Sequence, residues 1–464
     1  MNLLIIGNGL DLDLGLPTRY IDFLDFSNAF TSLISSSIES VDEFDTDIHS
    51  AVIKKYQSIY SPHLLKQHED DKSVLERFDK CFSNKLINKA CKDFYYCVHN
   101  NCWIKYFNER YEQNLIAGEN WIDLESEIQR IIDIFETKGY FEIVGDRHHK
   151  NMNPASKFID DSLRIQELIN EFYNNKVTLF VADYKKFKEN LLHDFDKFIM
   201  ALGIYLDFFV GQLSPDVEHA SKELIDMMTD NVPNKIDCVL SFNYKNNFRH
   251  KISLSQTCYI HGATNYVQEL KNHIHEEMSD TDKTYMSIEA IIKRNKMIVG
   301  FDDLQDNDEN STLKNYELEF IDYRKYFQRI YKGTDSQYVD WLNEYQSRLK
   351  KSISTTEAPI NWEDVYQKKL YAEISLNIPN HIFIFGHSLD ATDNEIFKDI
   401  FLRELNDTQL RKLNDTQITI YYHDSDARKR IITNLVKILT QPILVQKTKG
   451  NNPNIKFVAQ TYKE

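Results

Sequence analysis

The sequence predicts an α/β fold: a mostly parallel sheet built from both ends of the chain, with a large helical insertion between them. Three observations predict it. Short apolar runs rich in Ile, Val, Phe and Tyr gather at the start and in the second half, the pattern of buried strands. Several of them end at a glycine or a polar residue, as strands do where parallel sheets collect ligands. The stretch from Tyr20 to Asn234 instead carries Lys, Glu, Asp, Asn and Phe at helical spacing with few breakers.

The elements follow in order. Leu3–Ile6 reads as the first strand and runs into Gly7-Asn8-Gly9. Only 13 of 464 residues are glycine, yet Gly7, Gly9 and Gly15 fall within the first 15 positions. A strand, a glycine-rich turn and a helix is an arrangement that holds phosphates, because N–H groups at a helix start attract anions. Replacing Gly9 with Val is therefore expected to spare the fold and remove nucleotide binding. Within the helical stretch, "NWIDLESEIQRIIDIFE" places Ile128, Ile131, Ile132 and Phe135 on one face, with Asn120 as cap and Asp123 closing the box. Further strands are expected at Ile236–Leu240, Cys258–Ile260, Met297–Val299, His381–Gly386, Ile418–His423 and Ile455–Ala459. Residues 1–19 and 235–464 then form the sheet core, and 20–234 the helical insertion.

Composition excludes some classes. A net charge of −16 argues against an extended nucleic-acid surface, which needs Lys and Arg for phosphates. No apolar run approaches the roughly 20 residues of a membrane span. The opening run is too short for a signal peptide and has no basic region before it. The six cysteines form no C-x-x-C pair, which fits reduced thiols in the cytoplasm. His148–His149 and His273-x-His275 lie in polar stretches without an obvious third ligand, so no metal site is expected.

Four short motifs fall at expected strand ends: G-N-G-x-D with G-L-P-T after it (Gly7 to Thr18), S-F-N-Y (Ser241 to Tyr244), Y-I-H-G (Tyr259 to Gly262) and F-G-H-S-L-D-x-x-D (Phe385 to Asp393). The first is neither G-x-G-x-x-G nor a Walker loop. The opening, "NWIDLE", "SFNY", "IHG" and "GHSLDATD" together resemble the AbiH family of bacterial phage abortive-infection proteins. Their order is more distantly similar to sirtuin-like NAD-binding domains. Those carry a G-A-G turn, a G-I-P segment, an asparagine after a strand, a His-Gly pair and a late Gly-x-Ser segment.

The resemblance implies a Rossmann-like, sirtuin-like sheet with NAD at the glycine-rich turn, as substrate or ligand and with no further cofactor. By position, Asn243 would orient the nicotinamide ribose and water, and His261 would act as base, work that suits an imidazole. Asp11 would stabilise positive charge on the sugar. Gly7, Asn8, Gly9, Pro17, Thr18, Ser241, Gly386, His387, Ser388 and Asp393 would contact the nucleotide. Two departures stand out. Lys245 takes the place of the sirtuin aspartate that contacts the nicotinamide amide. Paired cysteines for a zinc ribbon are absent, which disfavours deacetylation. The implied function is phage defence through hydrolysis of NAD or a related nucleotide. An enzyme that empties a cofactor pool must be held quiet, so a homo-oligomeric assembly and a phage-derived or partner-protein trigger are implied.

Other readings of the same residues stay open. The glycines also suit close strand–helix packing, Asn243 a helix cap, and His261 a core position. Asp123 and Glu125 suit a helix N-terminus. Gly386-His387-Ser388 resembles a nucleophile elbow with His423 downstream, although Asp390 replaces the final glycine and no oxyanion-hole glycine run precedes it. A non-catalytic nucleotide sensor acting through oligomerisation is the third class.

Overall fold

The computed structural model describes residues 2–37, 84–116, 122–135, 181–213, 236–245, 257–270, 287–301, 320–334, 337–341, 343, 381–390, 393–406, 417–450 and 453–460. The chain divides into two compact units. The first comprises residues 1–16, 214–263 and 334–464; the second comprises 17–213 and 264–333.

The first unit is built on six strands: β1 (Asn2–Ile6), β2 (Cys238–Ser241), β3 (Thr257–Tyr259), β4 (His381–Phe385), β5 (Gln417–Tyr422) and β6 (Ile455–Ala459). Their order in the sheet is β3-β2-β1-β4-β5-β6, and every neighbouring pair is parallel. The expected strands therefore form here within a residue or two, Met297–Val299 excepted. Strand direction alternates side chains between two faces. Leu3 and Ile5 of β1 share one apolar cluster with Ile382, Ile384, Ile418 and Ile420. That cluster is closed by Phe397 and Phe401 of α9 (Asn394–Asn406) and by Leu435 and Ile438 of α10 (Ser425–Leu439). Leu4 and Ile6 face the other way, onto Val239, Phe383, Phe385 and Leu10 of α1 (Asn8–Asp13). Burial on both faces is why β1, β2 and β4 read as largely apolar runs. The order reverses between β1 and β4, and in open parallel sheets the crevice outside the strand ends at such a point receives ligands.

The second unit is helical. Its larger helices are α2 (Tyr20–Ser37), α3 (Asn84–Val98), α4 (Cys102–Ile116), α5 (Leu124–Ile134) and α6 (Val181–Ile204), and α6 continues into a π-helical turn at Tyr205–Phe209. Phe23, Phe26, Phe94, Tyr205 and Phe209 pack with ring centroids 4.7–6.4 Å apart. The N-cap of α5 is Asp123, whose carboxylate accepts from Ser126 N at 3.1 Å. Asp123 thus caps the helix itself instead of closing a box from Asn120, which lies outside the described residues. The expected face is present: Ile128, Ile131, Ile132 and Phe135 are fully buried.

Met297–Val299 corrects the sequence reading. The three residues are fully buried but form no strand. Their backbone is bonded by side chains: Met297 N donates to Asn295 Oδ1, and from α8 (Lys325–Lys332) Gln328 accepts from Val299 N and donates to its carbonyl and Lys332 donates to Met297 O. A buried backbone needs partners, and a neighbouring strand is only one way to supply them.

Candidate functional site

The β1–α1 turn interlocks with the turn after β4. Gly7 N donates to Phe385 O at 3.0 Å and Gly9 N to Gly386 O at 2.8 Å. A Cβ at Gly9 would stand 2.7 Å from the Gly386 Cα, and one at Gly7 would stand 2.6 Å from the Gly386 carbonyl oxygen. Gly386, at φ +66°, is equally constrained, since its Cβ would meet Leu10 N at 2.3 Å. These glycines let two turns approach through their backbones. A valine at position 9 strikes that backbone directly, so the expectation that Gly9→Val spares the fold is corrected. The Gly9 N–H is directed to the Gly386 carbonyl.

α1 is short because Gly15 ends it. Gly15, at φ +74°, donates to Leu12 O, and Leu16 donates to Asp11 O, the paired bonds of a Schellman stop. Asp11 is nonetheless buried, 4% exposed. Its Oδ2 accepts from Asn243 Nδ2 at 3.1 Å. Asn243 lies two residues past the last paired position of β2, Ser241, whose hydroxyl bonds both the Asn243 N–H and its carbonyl at 3.2 Å. Ser241 thus holds the backbone that aims Asn243. The Asn243 Oδ1 atom is enclosed and has no hydrogen-bond partner among the described residues.

His261 lies two residues past Tyr259, the partner of Ser241 in the β2–β3 register. Parallel pairing continued by two residues therefore brings Asn243 and His261 to adjacent strand ends. His261 Nε2 stands 3.3 Å from Asp393 Oδ1, and His387 Nε2 stands 3.6 Å from Asp393 Oδ2. All three side chains are more than nine-tenths buried. Leu389, buried and held at φ +57°, donates its N–H to His387 Nδ1 at 2.9 Å. That bond assigns the neutral His387 proton to Nε2, facing the carboxylate. By the same logic, a carboxylate at His261 Nε2 makes Nδ1 the atom that takes up a proton. The Phe242 ring packs between the imidazoles, 4.2 Å from His387 and 5.5 Å from His261. The Tyr244 ring lies tilted to His261, centroids 6.1 Å apart.

The remaining site residues divide. Asn8 is exposed at the start of α1, and Gly7 and Gly9 lie in the interlocked turn. Pro17 and Thr18 belong to the helical unit, where the Pro17 carbonyl accepts from Tyr205 at 2.8 Å. Ser388 is exposed, and its carbonyl accepts from Asn434. No hydrogen bond joins the Ser388 hydroxyl to a histidine among the described residues, and His423 pairs with Asp424 at 3.1 Å. Lys245 is half-buried just after Asn243. Glu125 is bonded to the buried Lys325 Nζ at 2.7 Å. His148–His149 and His273-x-His275 lie outside the described residues, and among those described no cluster suits a metal.

Beside the buried cluster lies an open cleft of about 290 Å³ over the ends of β1, β4 and β5. It is lined by Gly386–Ser388, Tyr421–His423, Arg430 and Asp13, among others. Sequence reasoning missed these tyrosines and Arg430. "YYH" at the end of β5 was a usable signal, because it closes a strand. Arg430 lies within α10 and had none. No helix among the described residues is long and apolar enough to cross a membrane.

A family model described as "Bacteriophage abortive infection AbiH" matches residues 3–413. No curated protein and no solved structure matches the chain.

Proposed function

The chain belongs to the AbiH family of bacteriophage abortive-infection proteins, whose function is defence against phage, and from that premise we propose that it acts by hydrolysing NAD at the nicotinamide–ribose bond. One observation carries the reading: Asp11, Asn243, His261 and Asp393, buried polar side chains from separate parts of the chain, meet as two pairs at the carboxyl ends of the parallel strands. Two things support the ligand class. The strand order β3-β2-β1-β4-β5-β6 is that of Rossmann-like sheets that hold dinucleotides at the β1/β4 reversal. The motif order, as read from the sequence, resembles sirtuin-like NAD-binding domains.

The chemistry assigns each group a task. As the C–N bond breaks, its electron pair passes to the nicotinamide nitrogen and positive charge grows on the ribose. The Asp11 carboxylate, aimed by Asn243, opposes that charge. Water adds to the anomeric carbon, and its proton goes to His261 Nδ1, while Asp393 stabilises the resulting imidazolium through Nε2. Products are nicotinamide, ADP-ribose and a proton. His387 orients Asp393 from its other oxygen. An enzyme of this kind must stay quiet until infection, so a trigger and a change of assembly accompany the reading.

The direct test is nicotinamide release from NAD by the purified chain, with and without extract of phage-infected cells. Release in either condition supports the reading. Binding without release in both overturns it in favour of a nucleotide sensor.

A further inference from the structure

The open cleft combines three kinds of chemistry on one wall system. Tyr422 supplies aromatic surface, Asp13 a carboxylate and Arg430 a guanidinium, while Tyr421 leaves β5 on the opposite face and packs on Phe385. Arg430 is exposed and forms no ion pair within 4 Å among the described residues, and its charge helps hold the Asp424 carboxyl low. The Tyr422 ring is held by Arg428, whose guanidinium carbon lies 5.5 Å from its centroid. A pocket for a simple anion has no use for Asp13, and a pocket for an apolar ring has no use for Arg430. A mononucleotide uses all three. Its base lies against tyrosine, its sugar hydroxyls donate to a carboxylate, and its phosphate takes the arginine fork.

We propose that this cleft is a mononucleotide-binding site, with Tyr422 facing the base, Asp13 the sugar and Arg430 the phosphate. Its volume of about 290 Å³ is at the small end of ligand pockets and suits one nucleoside unit better than two. His387 is common to the cleft and the buried cluster: it lines the first, and its Nε2 approaches Asp393 in the second. A dinucleotide with one half in the cleft would therefore run past His387 toward the His261–Asp393 pair. The assignment goes beyond the hydrolase reading, because AMP has no nicotinamide bond to break and its binding stands apart from turnover.

The test is calorimetry of the full chain with AMP, ribose 5-phosphate and inorganic phosphate. AMP is expected to bind more tightly than ribose 5-phosphate, and ribose 5-phosphate more tightly than phosphate. Arg430→Gln should weaken AMP about tenfold, the loss of one charge-assisted contact. Tyr422→Leu, which keeps an apolar contact to the core, should weaken AMP about tenfold and leave inorganic phosphate unchanged. The proposal is overturned if AMP fails to bind at millimolar concentration, if Arg430→Gln leaves its affinity intact, or if all three probes bind alike. AMP binding in a chain that releases no nicotinamide would uphold this site and remove the hydrolase.

Discussion

Two buried polar groups of this chain make opposite use of the same ingredients. In the helical unit, Asp93 is 4% exposed and its carboxylate is held by Lys89 on the same helix, Nζ to Oδ2 2.6 Å, and by the Tyr266 hydroxyl at 2.8 Å. Burial pushes the Asp93 carboxyl upward, and Lys89 and Tyr266 pull it back. Charge and hydrogen bonding are matched inside the unit. In the sheet unit, Asp11 and Asp393 are as deeply buried, but their neighbours include an amide and two imidazoles, and Asn243 retains an enclosed oxygen with no hydrogen bond among the described residues. The first arrangement is what a buried carboxylate needs to be tolerated. The second sets two imidazoles against one buried carboxylate at strand ends next to an open cleft. Burial alone does not separate structure from chemistry, but the partners do.

That contrast predicts how each cluster breaks. His261→Ala should lower nicotinamide release per folded molecule about 10²–10⁴-fold, the usual contribution of a general base, far more than the stability lost with the buried Asp393 pair explains. If activity falls only as the folded fraction falls, His261 belongs with Asp93 as a structural group. Lys89→Met should do the reverse. Removing one partner of a buried pair costs about 3 kcal/mol, so chemical denaturation should show lost stability with full specific activity in the folded fraction.

A third change sharpens the helical side. Burial pushes the Asp196 carboxyl up to about 6. The folded chain therefore keeps this proton to a higher pH than the unfolded chain does. Between the ordinary carboxylate value of 3.8 and about 6, folded protein binds more protons, so stability falls as pH rises, and the loss is complete above about 6. Asp196→Asn should raise stability near pH 7 by up to about 3 kcal/mol, with the gain vanishing below about pH 4. Denaturation curves at both pH values check the sign, and a gain that persists in acid would reject burial as its cause.

The smallest effect belongs to Ser388. Its side chain is exposed and lacks a histidine partner among the described residues. Ser388→Ala should move stability by less than about 0.5 kcal/mol and leave most activity. A fluorophosphonate probe that labels the chain, with labelling lost in Ser388→Ala, would reopen the nucleophile-elbow reading.

Periodicity and strand-end chemistry carried much of this molecule. Runs such as "LLII" and "IFIF" are apolar throughout because both faces of a parallel strand are covered, so they could be placed from sequence with their terminal motifs. The helical face of Ile128, Ile131, Ile132 and Phe135 was legible for the same local reason. Tertiary structure decided what no local pattern encodes. Met297–Val299 has a strand's composition, but its backbone partners are side chains, among them Asn295 and, from a later helix, Gln328 and Lys332. The Cβ directions of Gly7 and Gly9 are filled by Gly386, some 380 positions away, while Gly9 also lines the open cleft. The pairing of Asn243 with Asp11, of Asp393 with both His261 and His387, and the meeting of Tyr422 with Arg430 around one cleft all depend on which strand ends the fold makes neighbours. Side-chain periodicity is set by a residue's immediate neighbours. Convergence of distant residues is set by sheet order, which the chain reaches only when the whole core is packed.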